Sequence, residues 1–179
     1  MEPSRDEAPL GDVETVAVVR AAQRGDPGAI DALVRELSPY VGRICGAIAL
    51  DDGDDAMQET LIAVVRNIRS LRSPEVVRGW VRRIAVRESV RVARRRSGGG
   101  AGVAELPASL AAADVDLDTV VDVRAVLASM SPDQRAVLVL RDLDGLGEAE
   151  VAALLSIPEG TVKSRLHRAR RTFARRWES

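Results

Sequence analysis

The chemistry open to this sequence is that of guanidinium and ammonium groups acting on phosphates and base edges. Between Thr161 and Arg176 stand Lys163, Arg165, Arg168, Arg170, Arg171, Arg175 and Arg176 with no acid among them, and Ser164 and His167 lie in the same run. Solvated helix faces usually mix signs, so an unmixed run points to a polyanionic partner. Lys and Arg can donate to guanine O6 and N7, each good pair being worth about 1–3 kcal/mol of discrimination. A second set, Arg83, Arg87, Arg91 and Arg95, recurs every four residues and is widened by Arg78, Arg82 and Arg94. Helical spacing puts this set on one stripe, and phosphate contact is its expected use. Enzyme chemistry finds no footing. His167 has no partner acid nearby and is no catalytic base. The glycines at 98–100 do not sit between a strand and a helix, as a phosphate-cradling loop would. The acidic DDGDD at 51–55 lacks the ligand spacing of a calcium loop. We expect no catalytic residue, no metal and no cofactor.

The elements that must carry these side chains are helices. Val151, Ala152, Leu154 and Leu155 fall at helical spacing, and Ser156-Ile157-Pro158 then breaks the run, because proline cannot continue a helix but can open one. Val162, Leu166, Ala169 and Phe173 follow at steps of four, three and four, the seam of a second helix. A helix-turn-helix with a cationic second helix fits the major groove of DNA.

Upstream, a helix over 13–24 should stop at Gly25, and Asp26-Pro27 should open the next. Ser38-Pro39 repeats that signal and predicts a third helix carrying Val41, Ile44, Cys45 and Ile48. A helix over 54–70 has Met57, Leu61, Val64, Ile68 and Leu71 as its seam, with Asp55, Gln58, Glu59 and Ile62 off it. Ser73-Pro74-Glu75 opens a helix over 74–96 whose inward residues include Val77, Trp80, Val81 and Ile84. Residues 97–118 are rich in Gly, Ala, Ser and Pro and read as a flexible linker. Helical pattern resumes near Thr119, and Ser131-Pro132-Asp133-Gln134 is a capping box ahead of a helix ended by Gly145. There is no strand signal. The expected fold is all-α: a flexible 1–12, a helical domain over 13–96, the linker, and a second small helical domain over 119–179 that contains the helix-turn-helix.

The totals agree. The 179 residues are 46% hydrophobic but only 2% aromatic, so the cores must be built from Leu, Val, Ile and Ala. The lone Cys45 excludes an internal disulfide and reads as a buried, inert thiol. No run is long and apolar enough to span a membrane, and the acidic N-terminus is no signal peptide, so a cytoplasmic protein is expected. The net charge of -1 conceals four blocks. Residues 1–65 carry -8, 66–96 carry +9, 97–156 carry -7 and 157–179 carry +5. Two separated basic blocks could touch one DNA at two places, while the acidic blocks suit a protein partner.

The run SPDQRAVLVLRDLDGLGEAEVAALLSIPEGTVKSRLHRARR resembles the fourth conserved region of sigma-70 family RNA polymerase sigma factors, closest to the small extracytoplasmic-function (ECF) group. The N-terminal half is similar to the second region of that group through AAQRGDPGAIDALV, DDAMQETLIAVVR and RGWVRRIAVRESVRVARRR. The resemblance covers about residues 16–96 and 120–176. It implies a non-catalytic subunit that binds core RNA polymerase at the β′ clamp helices and the β flap and directs it to promoter DNA at the -35 and -10 elements. It implies that Lys163, Ser164, His167 and Arg168 face -35 base edges while Thr161, Arg165, Arg170 and Arg171 hold phosphates. It places Leu71, Arg72, Ser73, Arg83, Arg87 and Arg91 in the -10 region, and Asp55, Gln58 and Glu59 at the β′ contact. Many members carry Trp where Val65 stands and Phe where Val77 stands, so this chain departs from the family pattern in its base-capturing aromatics. An anti-sigma protein covering both faces is a further implied partner. The alternative reading is an autonomous helix-turn-helix regulator that binds duplex DNA without polymerase.

Overall fold

The elements follow from caps and seams. The computed structural model describes residues 13–97 and 117–177, and every regular element among them is helical. The expected flexible N-terminus, 1–12, and nearly all of the expected linker lie outside the described residues. Helix α1 (Val13–Gln23) ends in a turn at Gly25, whose φ of +90° is a conformation glycine reaches without strain. Asp26 caps α2 (Pro27–Ala49) by accepting from the backbone N–H groups of Gly28 at 2.9 Å and Ala29 at 3.2 Å.

Here the structure corrects one expectation. Ser38-Pro39 does not start a new helix; α2 runs through it as a single rod with Pro39 inside. An internal proline costs about 3 kcal/mol. Leu33 and Leu37 before it and Val41, Ile44 and Ile48 after it are each at most 1% exposed. At about 1.5–3 kcal/mol per buried side chain, the seam outweighs the proline. The Ser38 hydroxyl donates to the Val34 carbonyl at 2.6 Å, one turn back on the same rod.

After a 3-10 turn (Leu50–Asp52), α3 (Gly53–Asn67) returns against α2. The two backbones meet at a pair of glycines: a Cβ on Gly53 would stand 2.9 Å from the Gly46 Cα. A 3-10 turn (Ile68–Ser70) ends this arm, and the Gln23 side-chain amide on α1 holds it by donating to the carbonyls of Ile68 at 3.0 Å and Leu71 at 2.6 Å. A third such turn (Pro74–Val76) leads into α4 (Val77–Ser97), so proline starts a tight turn rather than the α-helix itself.

The C-terminal half comprises α5 (Leu117–Ala128), α6 (Pro132–Leu138), a π-helical turn (Val139–Leu143), α7 (Glu148–Leu155) and α8 (Glu159–Trp177). The Ser131 capping box stands as expected, with Ser131 and Gln134 exchanging side-chain-to-backbone bonds. Gly145, at φ +69°, closes the π-helical turn. The two halves share one apolar core: Val137, Leu140, Val151 and Val162 join Val19, Ile44, Val64 and Val81 in one contiguous cluster. A satellite cluster of Val126, Met130 and Ala169, with Phe173 beside it, fixes α5 on α8. Cys45 is fully buried, and burial pushes its thiol pKa up, in keeping with an inert side chain.

Candidate nucleic-acid interface

The geometry of α7 and α8 is set by three residues. Ser156 takes the left-handed conformation at φ 55°, the Ile157 N–H donates to the Ala152 carbonyl at 3.0 Å, and Pro158 accepts the first bond of the next helix from Thr161. Val162, Leu166 and Ala169 then turn inward, each at most 4% exposed, with Phe173 half-buried at the end of that seam. The predicted base-edge residues Lys163, Ser164, His167 and Arg168 all lie exposed on the outer face. Of the predicted phosphate residues, Arg170 and Arg171 are exposed and Thr161 and Arg165 are half-buried at the flank.

Most of these cations are already held. Arg165 pairs with Asp133 at 3.0 Å, Arg170 with Asp142 at 2.6 Å and Lys163 with Glu148 at 3.6 Å. The Asp142 hydrogen bond raises the Arg170 pKa. Arg168 Nε donates to the Ser164 carbonyl, and the Ser164 hydroxyl to that of Thr161. Helix α8 therefore presents its donors on short tethers to acids of α6, the π-helical turn and α7 and to its own backbone. Exposed pairs of this kind are worth little each, so a phosphate can displace them.

On α4, Arg83 and Arg87 are exposed and Arg91 is half-buried. Glu88, 7% exposed, accepts from Arg91 at 2.6 Å and from Arg87 at 3.2 Å, and Glu59 of α3 reaches Arg91 at 3.3 Å. The two sites that the sequence treats separately thus adjoin: Asp55, Gln58 and Glu59 are all exposed on α3 and share a cleft of about 350 Å³ with Arg95 and Arg96. Ile62, 41% exposed, continues their face. In the loop, Arg72 and Ser73 are exposed, whereas the Leu71 side chain is 7% exposed and anchors the segment instead of facing solvent. Trp80 packs half-buried against the core.

Between α4 and the helix-turn-helix lies a groove of about 910 Å³, walled by Arg83, Arg87, Arg91, Arg94 and Arg95 on one side and Leu154, Leu155 and Ile157 on the other. That volume is of the size class of a small-molecule cleft, not of a duplex channel. On the opposite flank, Leu50, Leu127, Leu138, Leu143 and Phe173 line a strongly apolar groove of about 490 Å³, and Leu143 is 61% exposed. Among the described residues no cluster of His, Cys, Asp or Glu is placed to hold a metal ion, and no helix is long and apolar enough to cross a membrane. The acidic 51–55 stretch, which forms the 3-10 turn and the start of α3, has its first two acids taken by arginines: Asp52 takes Arg96 at 2.8 Å, and Asp51 takes Arg124.

Sequence reasoning missed the residues that join the halves. Arg135, 6% exposed, donates from Nε to the Ile48 carbonyl at 2.6 Å and from Nη1 to the carbonyls of Met130 at 2.8 Å and Leu127 at 3.3 Å. Burial lowers its pKa to about 10, against a smaller opposing pull from Asp51. The Tyr40 hydroxyl donates to Asp144 at 3.2 Å, and Arg82 reaches the same oxygen at 3.4 Å. Arg78 lies 4.9 Å over the Tyr40 ring. Arg94 grips both oxygens of Asp133 at 2.9 and 2.8 Å. One signal was available: Arg135 precedes the buried Val139 by four residues and so shares its face. Asp144, in a turn, carries no such periodicity.

The chain is all-helical among the described residues, with a cationic outer face on α8 and a second arginine stripe on α4. Comparison with known proteins gives the family. Residues 30–98 match the family model Sigma-70 region 2, and residues 121–173 match Sigma-70, region 4. The chain is 31% identical over 153 residues to the ECF RNA polymerase sigma factor SigM of Mycobacterium tuberculosis, covering 84% of this chain and 78% of that one. It is 28% identical over 172 residues to the ECF RNA polymerase sigma-E factor of Salmonella typhimurium, covering 86% and 88%. Among solved structures it is similar to the sigma factor RpoE of Bartonella quintana in complex with the anti-sigma factor NepR, with a TM-score of 0.63 and 25% identity over 80% of this chain and 95% of that one. The chain belongs to the ECF group of the sigma-70 family. Its function is that of the group: it directs core RNA polymerase to promoters for transcription initiation.

Proposed function

We propose that the two halves divide the promoter between them, residues 13–96 taking the -10 element and core polymerase, and residues 119–179 taking the -35 element. Lys163, Ser164, His167 and Arg168 read base edges, and Thr161, Arg165, Arg170 and Arg171 set register on phosphates. Arg72, Ser73, Arg83, Arg87 and Arg91 serve the -10 strand, while Leu71 holds the loop in place. With Val65 and Val77 where aromatics are common, arginine contact rather than stacking carries that site. Asp55, Gln58 and Glu59, around the exposed Ile62, meet the β′ clamp helices. The apolar groove beside Leu143 suits the β flap. The protein catalyses nothing and works in the cytoplasm. The groove between α4 and the helix-turn-helix, arginine-walled with an apolar side, suits an acidic helix of an anti-sigma protein.

The observation that carries this reading is the outward grouping of Lys163, Ser164, His167 and Arg168 on one face of α8. The test is a core-polymerase pull-down with a triple variant, Asp55→Ala, Gln58→Ala and Glu59→Ala, beside Lys163→Ala. The triple variant should lose polymerase and Lys163→Ala should keep it. Equal retention by both refutes the α3 assignment.

A further inference from the structure

The segment between α3 and α4 hangs on the core by every third side chain. Ile68, Leu71, Pro74 and Val77 are all buried, while Arg72, Ser73, Glu75 and Val76 are exposed. A spacing of three is that of 3-10 turns, in which side chains at i and i+3 eclipse. Apolar burial is non-directional, so these pegs fix the depth of the segment and not its rotation. Each turn has an internal bond, from the Leu71 N–H to the Ile68 carbonyl at 3.2 Å and from the Val76 N–H to the Ser73 carbonyl at 3.1 Å. Leu71 and Ser73 are extended, and the span they bound is held from outside. Gln23, half-buried at the end of α1, donates from its side-chain nitrogen to the Leu71 carbonyl at 2.6 Å and to the Ile68 carbonyl at 3.0 Å. That nitrogen carries two hydrogens; turned over, the amide would set its oxygen against two carbonyl oxygens.

We propose that Gln23 is a positioning residue for -10 recognition: its amide sets the rotation of the 71–73 span, so that Arg72 and Ser73 stand in one arrangement before the DNA strand arrives. This role rests on the assignment of that span to the -10 element. Helix α1 is built as a brace for it. Near its start the Thr15 hydroxyl donates to Glu36 of α2, along its length Val19 and Ala22 are buried, and Gly25 at φ +90° turns the chain away just after Gln23. A Cβ on Gly25 would stand 3.1 Å from the Arg69 guanidinium, so the turn also lies against the segment. Arg20 and Glu75 pair at 3.3 Å between the same elements, but both are well exposed, and such pairs contribute little. The Gln23 amide is therefore the strong directional link. Hydrogen bonds weaken steeply when misaligned, and with Val65 and Val77 where aromatics could stack, this site depends on them. A span ordered in advance also loses less on binding to the cost of ordering it.

The test uses core polymerase reconstituted with the full chain and two fluorescent single strands, one carrying the -10 sequence shared by its mapped start sites and one a scramble of it. The ratio of the two affinities is the readout, because a general loss of stability lowers both alike and leaves the ratio. Gln23→Met, similar in volume but unable to donate, should cut the ratio about tenfold, the order expected for two lost hydrogen bonds. Gln23→Glu, which sets an acceptor against two acceptors, should cut it at least as far, and both variants should bind core polymerase as the parent does. The parental ratio in either variant overturns the role of Gln23. Arg72→Ala with Ser73→Ala tests the underlying assignment: if that double variant keeps the parental ratio, or the parent shows no preference, the -10 reading of the span fails and the role of Gln23 with it. Loss in the double variant with the ratio kept in Gln23→Met refutes the role of Gln23 alone. A measurement on the parent needs no variant to fold: the side-chain amide protons of Gln23 should exchange more slowly than those of the exposed Gln58. Equal exchange overturns the bridge.

Discussion

Arg135 Nε lies 2.6 Å from the carbonyl oxygen of Ile48, across 87 positions of chain. The same guanidinium satisfies the carbonyls of Met130 and Leu127, so one buried cation closes three backbone acceptors at the point where the halves meet. Removing it takes this donor from the Ile48 and Met130 carbonyls, while the Leu127 carbonyl keeps the Met130 N–H at 3.0 Å. Each such loss costs about 1–3 kcal/mol, while burial of the charge itself is relieved. Arg135→Ala should therefore lose about 3 kcal/mol, or about 6–12 °C in Tm for a chain of this size. Denaturant midpoints and calorimetry check it; a loss below half of that would mean water replaces the guanidinium without cost.

The approach of α2 and α3 depends on Gly53. A Cβ there would meet the Gly46 Cα at 2.9 Å, backbone against backbone, with no flexible side chain to yield. Gly53→Ala should destabilise by about 1–3 kcal/mol. Gly160, helical and with nothing within 4 Å of its missing Cβ, is the contrast. Gly160→Ala should stabilise by about 0.5–1 kcal/mol. Thermal melts of the two variants should move in opposite directions.

Tyr40 is the chain's single tyrosine and so reports on the interface without interference. Burial first, and then the Asp144 carboxylate, raise its phenol above the ordinary 10.0, while Arg82 and Arg78 pull the other way. A group whose pKa is raised on folding contributes stability that is present below its unfolded pKa and lost as pH climbs through the folded one. Stability should thus fall as pH rises above 10, and the tyrosinate absorbance midpoint should lie above 10 in the native chain and return toward it in denaturant. A native midpoint at or below 10 would contradict the buried Tyr40–Asp144 contact.

The phosphate and base contacts proposed on α8 separate by their signatures. Arg171→Ala should weaken binding to all duplexes alike and reduce the salt slope by about one. Lys163→Ala should cost about 1–3 kcal/mol on the preferred -35 sequence and far less on others. Competition binding across a sequence library, at two salt concentrations, distinguishes them.

The helix-turn-helix was legible because its signals are local. The Val162–Leu166–Ala169 spacing, the Pro158 break and the unmixed cations each lie within one turn or two of chain, and α8 buries and exposes the residues the pattern assigns. The Pro39 reading failed because a local breaker competes with a long seam that no window around Pro39 contains. The pairing of Asp133 with Arg94, 39 residues away, and of Asp144 with Tyr40, 104 away, follows from packing of the two halves, to which periodicity is blind. Leu71 shows the converse: the resemblance implies a -10 role for it, and its side chain turns out to be packed in the core.

The account is tested most directly by start-site mapping on genomic DNA with core polymerase reconstituted with this chain. The intact protein should start transcription at a restricted set of promoters that share a -35 sequence. With Lys163→Ala and Arg168→Ala together, those starts should fade by an order of magnitude or move to sites with a different -35 sequence, while polymerase binding persists. The same starts at the same strength would contradict the reading of α8 as the helix that chooses the promoter.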